Sequence, residues 1–182
     1  MLVKKQLYWI PLLLILTGCS NVTNNIKVVQ IRNMNASCIY NYPYQDFNCS
    51  PGHAFPLTTI QVNGKYVATP GGVIVGDICV SGYTKNVRDV PETEKIQVFE
   101  EYGVPSHKTG EYEVDHIISL ELGGDNSIEN LYPQPALPYP GFHEKDKIEN
   151  LLHKMVCNNQ ITLQQAQYDI SHNWTKYLGD IK

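Results

Sequence analysis

The strongest constraint on the fold of this 182-residue chain is four cysteines, at positions 38, 49, 79 and 157, in a sequence that begins like an exported protein. Lys4 and Lys5 are followed by an apolar run from Leu7 to Leu16. A bilayer span needs about 20 residues, so this shorter run has the layout of a secretory signal. Exported chains meet an oxidising compartment, in which thiols become disulfides. With Cys19 set aside the cysteines are even in number, and none sits in a Cys-x-x-Cys pair, so disulfides are favoured over a thiolate zinc site. Three pairings are open. The expected one closes a local loop through Cys38–Cys49 and ties the middle of the chain to its C-terminal part through Cys79–Cys157.

The segment Leu16-Thr17-Gly18-Cys19 resembles the lipobox of bacterial lipoproteins. The resemblance implies a signal peptide over 1–18, cleavage before Cys19 and a lipid on the Cys19 thiol. With Ser20 next, it also implies an anchor in the outer membrane, facing the periplasm or the cell surface. Residues 19–36, rich in Asn, Thr and Val, then form a tether, and 37–182 the folded domain. Hydrophobic residues at 42% and charged residues at 18% are incompatible with wholesale disorder. Lys and Arg total 14 against 18 Asp and Glu; removing Lys4 and Lys5 leaves 12 against 18, a net charge of −6. That balance excludes a protein held on nucleic acid by bulk charge. Any nucleic-acid chemistry must come from a local site.

Along the domain, turn signals at Asn48-Cys49-Ser50-Pro51-Gly52 and Pro70-Gly71-Gly72 separate short expected strands at 57–62 and 73–80. Three helices are better marked. One starts at Pro91 in the first helical position, buries Ile96, Phe99 and Tyr102, and stops at Gly103. The second begins near Glu144 and buries Ile148, Leu151, Leu152, Met155 and Val156, one helical stripe. The third opens on Thr162 and Gln165 as a capping box and buries Leu163, Ala166, Ile170, Trp174 and Tyr177.

Residues 111–147 carry the chemistry. Glu111 to Leu120 alternates as a strand, with Val114, Ile118 and Leu120 on one face. Gly123-Gly124 forces a turn, Asn130-Leu131-Tyr132-Pro133 follows, and a Pro-rich loop leads to His143 at the start of the second helix. Asp115 and His116 are adjacent on the strand and so project to opposite faces. Phosphodiester hydrolysis needs a water stripped of its proton and a cation to stabilise charge on the phosphate and leaving oxygen. A neutral histidine suits the first task, and a hard carboxylate suits a magnesium ion that keeps several waters.

Asp115-His116, Gly123-Gly124, Asn130-Leu131 and His143, in this order, resemble the HNH endonucleases, the ββα-metal or His-Me finger nucleases. A looser similarity to exported HNH-type proteins extends over Ile78-Cys79-Val80-Ser81-Gly82-Tyr83-Thr84, Val87-Arg88, Tyr102-Gly103 and Glu144-Lys145-Asp146-Lys147. The resemblance implies an α+β fold with a ββα-metal core over 111–157, here extended by short strands and helices and stapled by disulfides. It implies a phosphodiesterase acting on DNA, with RNA as the alternative, that uses Mg²⁺ or another divalent ion such as Mn²⁺. His116 would be the general base and Asp115 a metal ligand, with Asn130 bracing the loop and orienting His116. His143 would be the second ligand, with Asp146 and Gln134 as alternatives.

Arg88 is a candidate phosphate contact, or a salt-bridge or cap partner. Lys145 and Lys147 are expected on a solvated helix face, with a substrate groove as the other reading. Tyr40, Tyr42 and Tyr44 either pack or stack on bases. The partners implied are a nucleic acid and, through the lipid, a membrane; no protein partner can be read. The competing function class is a non-catalytic envelope lipoprotein that retains the ββα scaffold for binding or structure.

Overall fold

The computed structural model describes residues 38–55, 59–62, 65–68, 72–104 and 106–181. The expected signal peptide, Cys19 and the tether up to residue 36 lie outside the described residues. The fold is mixed α+β. In chain order it runs β1 (Thr59–Val62), β2 (Lys65–Ala68), α1 (Val75–Ile78), α2 (Tyr83–Val87), α3 (Glu92–Glu101), β3 (Tyr112–His116), β4 (Leu131–Pro135), α4 (Phe142–Cys157) and α5 (Leu163–His172). β1 pairs antiparallel with β2, and β3 with β4.

The core lies on the apolar stripe of α4. Ile148, Leu152 and Val156 are buried at helical spacing against Leu163, Ala166 and Ile170 of α5, together with Trp174, Val73, Ile78, Ile118 and Leu122. The Thr162 hydroxyl accepts from the Gln165 amide and caps α5, the first half of the expected capping box, while the Gln165 side chain donates to Asp169 Oδ1. A second cluster of Cys38, Tyr102, Ile117 and Tyr132 joins the N-terminal segment to β4. The tyrosines Tyr40 and Tyr44 are built into the fold: Tyr40 donates to the Pro133 carbonyl, and Tyr44 bonds Thr175 Oγ1 at 2.9 Å and packs edge-on against Trp174.

Three expectations need correction. The apolar run at 73–80 is not a strand; it holds α1, because the Asp77 carboxylate accepts from the Ile74 amide at 3.0 Å and closes a helical turn. Short apolar runs without alternation do not distinguish the two structures. The strand at 111–120 ends at His116, since the Ile118 amide and carbonyl are both bonded by the Asn130 side chain and cannot join a ladder. In α3, Pro91 is the N-cap rather than the first helical residue, and Ile96 is 51% exposed while Val98 is buried. Val98 and Tyr102, one helical turn apart, define the face that packs.

Both disulfides have the expected pairing, Cys38–Cys49 and Cys79–Cys157, with separations of 11 and 78 residues. In the loop-entropy account the longer loop restricts the unfolded chain more, by roughly 1.7 kcal/mol for these two lengths. Denaturant unfolding of Cys79→Ser/Cys157→Ser is therefore expected to show a larger loss of stability than Cys38→Ser/Cys49→Ser.

Candidate functional site

The site forms where β3 ends. The β3–β4 register pairs Glu113 with Gln134 and Asp115 with Tyr132, placing these four on one face, while His116 pairs with Leu131 and shares the other face with Val114. Asp115 and His116 are both buried.

His116 Nε2 lies 3.2 Å from Asn126 Oδ1. The orientation of the Asn126 amide follows from its other partners: Nδ2 donates to the Val87 carbonyl at 2.7 Å, and Oδ1 accepts from the Asp89 amide at 3.2 Å. A carbonyl-type oxygen can meet Nε2 only if Nε2 carries the proton. Neutral His116 is thereby the Nε2–H tautomer, with its lone pair on Nδ1, and among the described residues no hydrogen bond occupies that atom. Burial holds the imidazole pKa below its ordinary value; Asp115 and Asn126 oppose this, and Arg88 and Lys145 reinforce it. The ring is a neutral base at neutral pH.

The loop between His116 and β4 is what brings Asn126 to the ring. Gly123 has φ +77°, and a Cβ on Gly124 would fall 1.7 Å from the Ile118 carbonyl oxygen, so no larger residue fits this turn. Asn130 clamps it from inside. Its Oδ1 accepts from Ile118 N at 2.9 Å and His53 N at 3.1 Å, and its Nδ2 donates to Ile118 O at 3.0 Å and Asp125 O at 2.8 Å. Asn130 thus holds the loop, whereas the side chain touching the His116 ring is Asn126.

On the opposite face, Asp115 Oδ2 accepts from Lys145 Nζ at 2.7 Å. The same ammonium donates to the His116 carbonyl at 2.8 Å and to Glu149 Oε1. Lys145 is 1% exposed, which overturns both readings of it as a solvated or groove-lining side chain. The reason is its place on the buried stripe, three residues before Ile148 and seven before Leu152. Burial acts to lower the Lys145 pKa, but Asp115 and Glu149 outweigh it and hold the group charged.

His143 stands on the exposed side of α4, its ring centroid 4.2 Å from that of Phe142. Lys145 lies two positions further on, roughly 200° around the helix, and is the α4 side chain that bonds Asp115. Asp146 projects between them. Burial raises its pKa, and Asp115 adds to the rise. Burial likewise pushes the Glu113 carboxyl up to about 7, reinforced by Asp115 and Asp146 and opposed by Lys145 and Arg88. Arg88 is exposed, and its charge acts to lower the pKa values of Glu113, His116 and Asp146, less than burial and Asp115 affect them.

Two observations bear on whether these residues suit a divalent cation. Gln134 is 1% exposed and, among the described residues, its amide oxygen and nitrogen have no hydrogen-bond partner, on the face that carries Asp115. The half-buried acids around Asp115 resist ionisation, a cost that a cation would relieve. The donor set, carboxylate and amide oxygens, fits a hard ion. Among the described residues a three-ligand cluster within 4.8 Å is formed by Cys79, His153 and Cys157, but the two sulfurs are joined as a disulfide. A cavity of about 450 Å³, lined by Phe55, Val73, Tyr83 and Val87 among others, borders the site through Val87, whose carbonyl holds Asn126.

Asn126, Lys145 and Glu149 are the site residues that sequence reasoning misses. Asn126 looks like an ordinary turn residue after Gly-Gly. Lys145 carried a legible signal, its register with Ile148 and Leu152. Long-range ¹H–¹⁵N NMR is expected to show the Nε2–H tautomer of His116 in the native chain and a mixture of tautomers in Asn126→Ala. The chain matches no protein-family model, no curated protein and no solved structure.

Proposed function

We propose that this chain is a metal-dependent endonuclease of the HNH type that hydrolyses phosphodiester bonds in DNA, with RNA as the alternative substrate. The observation that supports it best is the His116–Asn126 pair, a buried imidazole with Nε2 committed and a basic Nδ1 left to take a proton from water. The order of β3, the glycine turn, β4 and α4 is the order of elements in the ββα-metal nucleases, which the motif residues resemble. His116 and Asp115 at one strand end, on opposite faces, are suited to work on two sides of a phosphate. Arg88 adds a cation for the phosphate oxygens, and Asn130 keeps the loop closed so that Asn126 stays on the ring.

Asp115 would hold the metal, with Asp146, which feels the Asp115 charge, ahead of the exposed His143, and with Gln134 as a neutral oxygen donor. When bound, Mg²⁺ or Mn²⁺ supplies positive charge to the phosphate and leaving oxygen. One observation favours the competing reading, a scaffold without catalysis: Lys145 already places a positive charge on Asp115.

An assay separates the two. The purified chain is expected to cut plasmid DNA with Mg²⁺ or Mn²⁺, to stop on chelation, and to lose about 10²–10⁴-fold in rate in His116→Ala, with an unchanged circular dichroism spectrum. Equal cleavage by His116→Ala removes His116 as the base. Because the base acts when neutral and its pKa is lowered, activity is full above about pH 6.5 and falls as pH drops through the lowered value.

The same proposal places the nuclease on the outer membrane through a lipid on Cys19. Cell fractionation is expected to release the Cys19→Ser chain from the membrane, and retention would refute the anchor.

A further inference from the structure

Lys145 is buried where a nuclease of this kind would be expected to keep its carboxylate open for metal. An ammonium has three protons, and here they go to Asp115 Oδ2, the His116 carbonyl and Glu149 Oε1. One side chain from α4 therefore grips the side chain of the metal-ligand candidate and the main chain of the base candidate, joining the end of β3 to the helix. With Oδ2 drawn toward α4, Asp115 has Oδ1 left to offer. A fixed positive charge beside Oδ2 also opposes a second cation at the same carboxylate. Glu149 has the contrary effect: burial pushes its carboxyl pKa well up and Lys145 opposes the rise, and in its ion pair with Lys145 the ionised carboxylate offsets part of the ammonium charge.

We propose that Lys145 is a positioning residue that turns Asp115 into a one-oxygen ligand and, balanced by Glu149, sets a weak affinity for the divalent cation. This rests on the nuclease reading above and adds to it how the site is tuned. The ammonium is not a substitute for the metal; it limits how tightly the metal is held while keeping Asp115 and His116 in register. A site so arranged takes the ion chiefly together with the phosphate oxygens of its substrate, the way magnesium is usually shared between a protein and a phosphate.

The test is Mn²⁺ binding by isothermal titration calorimetry on the full-length chain without nucleic acid, with thermal melting to confirm folding. Lys145→Met removes the charge and keeps the bulk; it is expected to bind Mn²⁺ about tenfold more tightly, a change equal to one pK unit, while kcat for cleavage falls because Asp115 is no longer held. Glu149→Gln leaves an acceptor for Lys145 but removes the offsetting charge, and is expected to bind several-fold more weakly, by an argument of the same kind. A merely structural bridge would shift both variants in the same direction through loss of stability. Equal shifts, or no shift, in folded variants overturn the proposal. Should Lys145→Met not fold, unchanged or tighter binding by Glu149→Gln overturns it. A native chain that neither binds Mn²⁺ nor cuts DNA defeats the nuclease reading itself, whereas a native chain that does both, with variants shifting together, defeats this inference alone.

Discussion

The buried amide of Asn130 is the interaction on which the site depends. An Asn side chain with no exposed surface must satisfy two donor protons and an acceptor oxygen inside the protein or cost a few kcal/mol. Here it does so with the backbone of Ile118, Asp125 and His53. Those bonds end β3 at His116, fold the Gly123-Gly124 loop back on itself and dock the 52–55 segment beside it. Gly52 N donates to Glu129 O, Phe55 N to Gly123 O, and Ala54 bridges to Gly124, so the segment lies along the loop as an irregular partner. One polar side chain thus replaces the ladder that a longer strand pair would have supplied.

From that clamp the two faces of the strand end acquire opposite electrostatic characters. On one face burial keeps His116 neutral, and the Asn126 amide sets which ring nitrogen carries its proton. On the other, Asp115, Glu149 and Lys145 form a buried charged network beneath the half-buried acids Glu113 and Asp146. Burying such a network costs solvation that its internal attraction barely repays, and a hydrophobic packing of equal volume would serve stability at least as well. Its retention is more readily understood as specification of geometry at β3 than as a contribution to stability.

Much of the framework was legible in the sequence. The stripe Ile148, Leu152, Val156 and the cap at Thr162 are local signals, set by helical periodicity and by one side-chain hydrogen bond, and they appear where the pattern puts them. The glycine pair marked a turn, because Gly124 is needed wherever the chain passes this close to a carbonyl oxygen. Export and the even cysteine count pointed to two disulfides; of the three open pairings the structure has the expected one. Less was legible around the site. The run 73–80 had strand-like composition, but an Asp three residues along from Ile74 closes a turn, and short apolar runs leave that competition undecided.

By itself, the sequence determined the helical stripes, four cysteines available for two disulfides and the adjacency of Asp115 and His116, all of which depend on neighbours along the chain or on covalent chemistry. Only the tertiary structure decided that Asn126 sits on His116, that Lys145 is buried on Asp115, and that His143 is exposed on α4. The two contacts span 10 and 30 residues, between groups whose partners are chosen by how loop and helix dock. A polar residue in a turn or on a helix shows its type in the sequence but not its partner. The partner is set by desolvation, which exists only once the surfaces have closed.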